Sequence, residues 1–283
     1  MAARTIPLPA RCFAEFVGTF LLVFFGCGAV HIAILTGALA GLGQVAAVWA
    51  IAIMLAIYVV GGISGAHINP AVTVALAVWR QFAWRDVPVY VAGQFAGAFA
   101  AAAVLFLLFN PFLADKEHAK GVVRGQPGSE ITAMCYGEYF PDPGRLSNGT
   151  EAYKQEDHER LNALVPVQAA FAAEALGTLV LALVVFAVTD PRNTAAPAGR
   201  LGPVFIGLTV AALIAVIAPL TQACFNPARD FGPRAFAALA GWGEIALPGQ
   251  RGAGTFAVYL IAPVVGAVLG GGLYRCLLRP ALP

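Results

Sequence analysis

The sequence predicts an all-α membrane protein in which six transmembrane helices and two half-helices form an inverted repeat. The first observation is composition: 59% of the 283 residues are apolar and only 11% are charged, too few to cover a water-exposed surface. The second is that the apolar residues form continuous runs instead of the alternation typical of a membrane β-barrel. The third is the tripeptide Asn-Pro-Ala, which occurs at Asn69-Pro70-Ala71 and again at Asn226-Pro227-Ala228.

Six apolar runs are long enough to cross the ~30 Å hydrocarbon core of a bilayer as helices. The predicted spans are residues 12–35, 43–61, 87–109, 168–189, 201–219 and 255–278. The third and fourth spans are joined by residues 111–166, which contain Pro- and Gly-rich stretches and more acids than bases. We expect this connection to be a solvated loop.

Each Asn-Pro-Ala motif predicts a helix that begins inside the membrane. An asparagine side chain can cap the unpaired N–H groups of the first turn, and proline fits the first helical position because its missing N–H is not needed there. The run after Asn69 reaches Arg80, and the run after Asn226 ends near Gly241. Each run covers about ten residues, or roughly 15 Å, which is half of the hydrocarbon core. Two such half-helices can therefore meet head to head and form one span.

The two halves of the chain repeat each other. Ala14-Glu15-Phe16-Val17-Gly18-Thr19 corresponds to Ala173-Glu174-Ala175-Leu176-Gly177-Thr178, at nearly the same offset as the two Asn-Pro-Ala motifs. Each half holds three spans, an odd number, so the second copy enters the membrane from the opposite side. We expect one domain over residues 1–283, with half-repeats at 1–110 and 167–283 and the loop 111–166 between them.

The distribution of basic residues predicts that both termini are cytoplasmic. With that orientation the short cytoplasmic segments carry many arginines and few acids, as the positive-inside rule requires. These arginines are Arg4, Arg11, Arg80, Arg85, Arg192, Arg200, Arg275 and Arg279. We therefore expect a multi-pass protein in a plasma membrane or a bacterial inner membrane.

These motifs resemble those of the major intrinsic proteins, the aquaporins. The resemblance rests on Gly65-Ala66-His67-Ile68-Asn69-Pro70-Ala71, on the run from Phe225 to Arg234 and on the paired Ala-Glu-x-x-Gly-Thr segments, and it covers nearly the whole chain. Asp230 directly after Arg229, with Arg234 four residues later, looks like the pattern of the aquaglyceroporins, the glycerol facilitators. The resemblance implies a passive homotetrameric channel for glycerol, related polyols and water, with urea as a further candidate. It implies no cofactor, no metal and no nucleic-acid partner.

The residues themselves indicate where a solute would pass. Irregular backbone at membrane depth is tolerated only where it lines a wet cavity, and two such stretches precede the motifs. They are Gly65-Ala66-His67-Ile68 and Gln222-Ala223-Cys224-Phe225. By resemblance, these stretches form a ladder of carbonyl groups. At the centre, Asn69 and Asn226 would donate N–H bonds to a solute, aided by two positive helix ends that repel cations; plain helix capping is the alternative.

The narrowest point is placed by resemblance at Trp49, Ile214, Ala223 and Arg229. Ile214 replaces the glycine and Ala223 the second aromatic of the best-known glycerol channels, so the set is similar to that of plant nodulin-type channels. Arg229 would strengthen the barrier to protons. The alternatives are an interfacial tryptophan at Trp49 and an arginine that snorkels to the surface at Arg229.

Glu15 and Glu174 are acids inside apolar spans, which makes them functional candidates. We expect a structural role in which they accept N–H groups from the two irregular stretches, with Asp230 as a further support and His67 packed in the same region. A proton relay through Glu15 or Glu174 would instead indicate a secondary transporter. Two more functions stay open at this point: a mainly water-conducting channel, and an intramembrane enzyme using Glu and His as acid and base.

Overall fold

The chain folds into a bundle of long apolar helices without strands in its described parts. The computed structural model describes residues 6–39, 41–148, 151–197, 200–249 and 251–283. Within these ranges six helices are long and apolar enough to cross a membrane, which confirms the predicted fold class. They are α1 (Leu8–Thr36), α2 (Leu42–Ser64), α4 (Val87–Lys120), α8 (Val167–Thr189), α9 (Gly202–Thr221) and a last span over Ala253–Ala281 that contains α11 (Ala253–Phe256) and α12 (Ala262–Gly272).

Two short helices follow the Asn-Pro-Ala motifs. They are α3 (Pro70–Val78) and α10 (Pro227–Ala237), each with a proline in its first turn. Their lengths of 9 and 11 residues match the prediction of half-helices. Both pack mainly against the last span of the opposite half, α3 against α12 and α10 against α4, so the two halves of the chain interlock.

Small residues allow the closest helix pairs to approach. A side chain at Gly97 in α4 would overlap the carbonyl oxygen of Phe16 in α1, and one at Gly266 in α12 would overlap the carbonyl oxygen of Ala175 in α8. The two contacts are equivalent in the two halves. Each pair is therefore held by direct backbone contact, the packing that replaces hydrophobic burial within a membrane.

The long connection differs from its prediction. Helix α4 continues past residue 109 to Lys120, because its last turns are anchored by the segment that follows. Glu117 pairs with Arg124 at 3.0 Å, and Lys120 donates to the carbonyls of Asn148 and Glu151 at 3.1 and 3.0 Å.

The remainder of this connection contains α5 (Glu130–Ala133), α6 (Gly144–Ser147) and α7 (Gln155–Ala163). Residues 128–138 are buried, so the prediction of a solvated loop is wrong for that stretch, although most of α7 is exposed. We call the face that carries this connection the loop face, and the face where α1 begins and the last span ends the terminal face.

Candidate functional site

The N-termini of the two half-helices meet at the centre of the bundle. The side-chain amide of Asn69 donates to the carbonyl of Phe225, and that of Asn226 donates to the carbonyl of Ile68, each at 2.8 Å. These reciprocal bonds join the two irregular stretches directly. The positive ends of α3 and α10 consequently point toward the same place.

Each asparagine also caps its own helix. The Oδ1 atom of Asn69 accepts the N–H of Ala71 at 2.8 Å, and that of Asn226 accepts the N–H groups of Ala228 and Arg229 at 3.1 and 3.3 Å. An amide carries two N–H donors, and capping with the reciprocal bond uses the oxygen and only one of them. Capping therefore leaves each amide with one more N–H to offer a solute.

A cavity of about 470 Å³ passes these two amides. It is lined by all but one of the predicted pore residues: Trp49, Gly65, Ala66, His67, Ile68, Asn69, Ile214, Ala223, Cys224, Phe225, Asn226 and Arg229. The exception is Gln222, whose side chain accepts the N–H of Tyr139 at 2.8 Å. The cavity extends to the terminal face, where Thr189, Gly202 and Pro203 line it.

Most of the remaining wall is aliphatic. Its side chains are Leu22, Ile53, Ile57, Val72, Leu76, Leu181, Val185, Ile206 and Val210. These side chains offer no hydrogen bonds, so a polar solute must form them elsewhere in the lining: along the two irregular stretches, at the asparagines and Arg229, and at Gln81 and Thr189.

Glu15 holds the first irregular stretch from behind. Its carboxylate accepts the N–H groups of His67 and Ile68 at 2.9 and 2.6 Å and the hydroxyl of Ser64 at 2.6 Å. The Ser64 hydroxyl in turn accepts the N–H of Ala66 at 3.0 Å. Ala66 and Ile68 have positive φ angles of 51° and 43°, a conformation that costs about 1–3 kcal/mol per non-glycine residue and needs such support.

Glu174 holds the second stretch in the same way. Its carboxylate accepts the N–H groups of Cys224 and Phe225 at 3.0 and 2.8 Å and the hydroxyl of Thr221 at 2.6 Å. Thr221 also accepts the N–H of Ala223 at 3.3 Å. The two glutamates, which lie in equivalent positions of the repeat, therefore bind the two stretches through equivalent sets of donors.

These bonds fix the direction of the carbonyl groups. In a planar trans peptide the C=O and the N–H point to opposite sides. Since the N–H groups of residues 66–68 and 223–225 point toward Ser64, Thr221 and the two glutamates, the carbonyls of residues 65–67 and 222–224 point away from them. Six acceptors thus face away from the supporting groups, in two stretches that line the cavity.

His67 lies in the supporting layer. Its ring packs against Phe82 and Tyr90 at centroid distances of 4.7 and 4.9 Å, and its Nδ1 lies 3.2 Å from the hydroxyl of Thr73. In the parts of the chain that the structure describes, no group of three or more His, Cys, Asp or Glu side chains could hold a metal ion.

The four residues predicted for the narrowest point lie together at the loop-face end of the cavity. The guanidinium of Arg229 lies over the ring of Trp49, with its carbon 4.5 Å from the ring centroid. Ile214 and Ala223 complete the lining, and all four side chains are buried. Arg229 therefore does not snorkel to the surface, and its charge lies beside the passage.

Sequence reasoning missed the partner of Arg229. Its guanidinium forms an ion pair with Glu138, whose side chain is completely buried. Glu138 belongs to the connection predicted to be solvated. Its one sequence signal is isolation: it is the only charged residue between Glu130 and Asp142.

Comparison with known proteins finds a matching family model and several similar proteins. The family model described as "Major intrinsic protein" matches residues 2–274. The chain is 40% identical to the glycerol uptake facilitator protein of Pseudomonas aeruginosa, over 100% of this chain and 93% of that protein. It is 39% identical to the glycerol uptake facilitator protein of Escherichia coli K12 (99% and 92%) and 38% identical to the propanediol uptake facilitator of Citrobacter freundii (98% and 94%).

Among solved structures, the aquaglyceroporin from Plasmodium falciparum superimposes with a TM-score of 0.80. The match covers 98% of this chain and 99% of that chain, at 24% sequence identity. At this identity the likeness shows the shared fold.

Proposed function

Because this chain belongs to the major intrinsic protein family, we propose that it is a passive channel for glycerol and related small uncharged solutes, together with water. The observation that carries the proposal is the meeting of two half-helices at a cavity. There two asparagine amides are fixed by reciprocal bonds to Ile68 and Phe225. The relatives named as glycerol and propanediol facilitators support this class of solute.

The geometry supports a path along which a polyol exchanges its water molecules for protein groups. A hydroxyl group that lost its hydrogen bonds without replacement would face a barrier of about 2–7 kcal/mol. The carbonyls of residues 65–67 and 222–224 can accept from the hydroxyls, and the free N–H of each asparagine can donate to their oxygens. The aliphatic wall matches the carbon atoms of the solute.

Exclusion of cations and protons follows from the same groups. Two helix N-termini, each equivalent to about half a positive charge, point at the centre and repel cations. The asparagine donors turn each passing water with its oxygen toward the centre, which interrupts a proton wire. Arg229 adds further N–H donors at the predicted narrowest point, and its charge is paired there with Glu138.

A proton-coupled transporter is the second candidate function. The hydrogen bonds of Glu15 and Glu174 to the irregular stretches argue against it. One oxygen of Glu15 accepts the N–H of His67, and the other accepts the N–H of Ile68 and, at 2.8 Å, the side chain of Gln94. Both oxygens of Glu174 accept hydrogen bonds as well. Protonation would turn one of these oxygens into a hydroxyl donor and so remove an acceptor that holds a strained stretch. Structural support is therefore our proposed role for Glu15 and Glu174, and Asp230 supports the loop-face side by accepting the N–H of Glu138.

We further propose the assembly and orientation. The arginine-rich terminal face lies in the cytoplasm, and residues 1–283 form one channel unit in which the half-repeats 1–110 and 167–283 enclose a single pore. A homotetramer with one pore in each copy is expected from the family. The protein carries out no catalysis and returns its solutes chemically unchanged.

Stopped-flow light scattering on vesicles that contain the purified protein tests the function. We expect glycerol flux well above that of protein-free vesicles, linear with the gradient and indifferent to a proton ionophore. Glycerol uptake that follows a pH gradient and saturates at low concentration would favour the transporter. Parallel measurements with propanediol, urea and water would rank the solutes.

A further inference from the structure

Four charged side chains lie buried together beside the narrowest point of the cavity. Arg229 and Arg234 supply two positive charges, and Glu138 and Asp230 supply two negative ones. The side chain of Arg229 is 6% exposed and the other three are completely buried. An arginine keeps its proton at any accessible pH, so each of these guanidinium groups needs a counter-charge nearby.

The pairing within this group is specific. Asp230 receives Arg234 in a bidentate contact, with Nε and Nη2 donating at 3.0 and 2.9 Å to its two oxygens. Arg229 is left to Glu138, whose carboxylate its Nη2 contacts directly. Glu138 is therefore the acid assigned to Arg229.

Glu138 is held in place by its backbone. Its N–H donates to Asp230 at 2.6 Å, and its carbonyl accepts a hydrogen bond from Nη2 of Arg234. The Asp230–Arg234 pair thus fixes the segment that delivers Glu138. Neither Asp230 nor Arg234 lines the cavity, so this pair acts by positioning the backbone of Glu138.

Glu138 acts from behind Arg229. It is absent from the lining of the large cavity, and it borders instead a separate space of about 20 Å³ beside Tyr139 and Phe140. A solute in the large cavity meets Arg229 and Trp49 and does not touch Glu138. Any effect of Glu138 on the solute must therefore pass through the charge and position of Arg229.

We propose that Glu138 is a specificity-determining residue that keeps the narrowest point of the channel electrically neutral. Together, Glu138 and Arg229 add no net charge there, so the passage favours neither small anions nor small cations beyond the effect of the helix ends. Loss of Glu138 alone leaves the charge of Arg229 uncompensated beside the passage, because an arginine keeps its proton. Loss of Arg229 alone adds no comparable negative charge, because a buried carboxyl group without a partner takes up a proton. This inference rests on the proposed channel function and on the placement of Arg229 beside the solute path.

The test is a charge cycle of three variants: Glu138→Gln, Arg229→Gln and the double variant. Each is reconstituted into vesicles and assayed for glycerol flux by light scattering, for chloride flux with an internal chloride-quenched dye, and for potassium flux with an internal potassium dye. We expect Glu138→Gln to raise chloride flux at least tenfold over the natural protein, and Arg229→Gln to raise neither chloride nor potassium flux. The double variant should leak neither ion.

Glu117→Gln is the matched control, because Glu117 is also a buried acid of the loop face. It pairs with Arg124 at a distance of 3.0 Å, and it does not line the cavity. It should leave both ion fluxes at the level of the natural protein. Size-exclusion profiles identify variants that fold. A buried charge left unpaired can prevent folding, whereas removal of both partners is often tolerated.

The outcomes separate the two proposals. Absence of glycerol flux from the natural protein would refute the channel function itself. If the natural protein conducts glycerol and Glu138→Gln folds without a chloride leak, the inference about Glu138 is overturned. If Glu138→Gln does not fold, the variant Glu138→Gln/Arg229→Lys, which keeps a positive charge on a flexible side chain, is compared with the double variant. Chloride leak in the former and none in the latter supports the inference, and equal fluxes in both overturn it.

Discussion

Replacement of Glu174 by glutamine should destabilise the protein and leave the pH dependence of transport unchanged. Glutamine has nearly the same shape as glutamate, but it offers one acceptor oxygen and one NH₂ group where the carboxylate offers two oxygens. One oxygen of Glu174 accepts from Thr221 and Cys224, and the other accepts from Phe225. In the better orientation the glutamine keeps the first pair of bonds and turns its NH₂ group toward the N–H of Phe225.

The size of the effect follows from these three bonds. The N–H of Phe225 loses its acceptor in a buried site, which costs about 1–3 kcal/mol. The two remaining bonds lose their charged acceptor, and neutral hydrogen bonds have roughly half the strength of charge-assisted ones. The total loss is on the order of 3–5 kcal/mol, a large part of the typical 5–15 kcal/mol that stabilises a folded protein.

Thermal unfolding of the purified variant in detergent, followed by size-exclusion chromatography with fluorescence detection, measures this loss. Glu156→Gln is the control, because Glu156 is an exposed acid on α7. The midpoint should fall clearly for Glu174→Gln and stay unchanged for the control. A Glu174→Gln variant that is as stable as the natural protein, but whose solute uptake has lost a dependence on pH, would refute the structural role and favour a proton-coupled transporter.

Three further predictions concern the passage and its packing. Ala223→Phe should lower glycerol flux more than water flux in stopped-flow measurements, because the ring fills space at the narrowest point; equal loss of both would contradict this. Gly266→Leu should abolish the folded species on size exclusion, whereas Gly62→Ala, which meets open space, should behave as the natural protein. Gly26→Ala should shift the ring of Trp49, which occupies the space of the new methyl group, and so change the ratio of glycerol to water flux; an unchanged ratio would show that this ring does not set selectivity.

The architecture was predictable because its signals are local and occur twice. An asparagine cap, a proline in the first turn and a helical run of half a span all lie within a dozen residues, and the second copy removes the ambiguity of the first. Length and apolar composition located the six spans to within a few residues at most ends. The third span is the exception, since α4 continues to Lys120. Where this helix ends depends on its contacts with the connection that follows, from Arg124 to Glu151, and the periodicity of the sequence does not reveal such contacts.

The pairing of Glu138 with Arg229 could not be predicted for the same reason. The two residues are far apart in sequence, and composition alone made the segment around Glu138 resemble a solvated connection. Residues 128–138 are nevertheless buried. A single charge in an otherwise uncharged stretch of that length is a weak signal, and it becomes informative only when the position of a buried arginine is known.

The contacts that support the two irregular stretches are repeated in both halves of the chain, whereas the lining of the passage is not. Tyr90 donates to the carbonyl of Ser64 at 2.8 Å, and Tyr259 donates to the carbonyl of Thr221 at 3.1 Å, so these tyrosines repeat in both halves as the two glutamates do. Both halves need this support because each must hold a strained stretch at the same depth.

The ion pair of Arg229 and Glu138 has no such equivalent, since the first half-helix carries Val72 where the second carries Arg229. It follows that substitutions among the repeated supports should impair folding whichever half they are in. Substitutions at the ion pair should change which solutes pass while the bundle stays intact. We therefore place the predicted narrowest point on the loop-face side of the asparagines, where the second half-helix contributes Arg229 and the first half-helix has Val72 at the equivalent position.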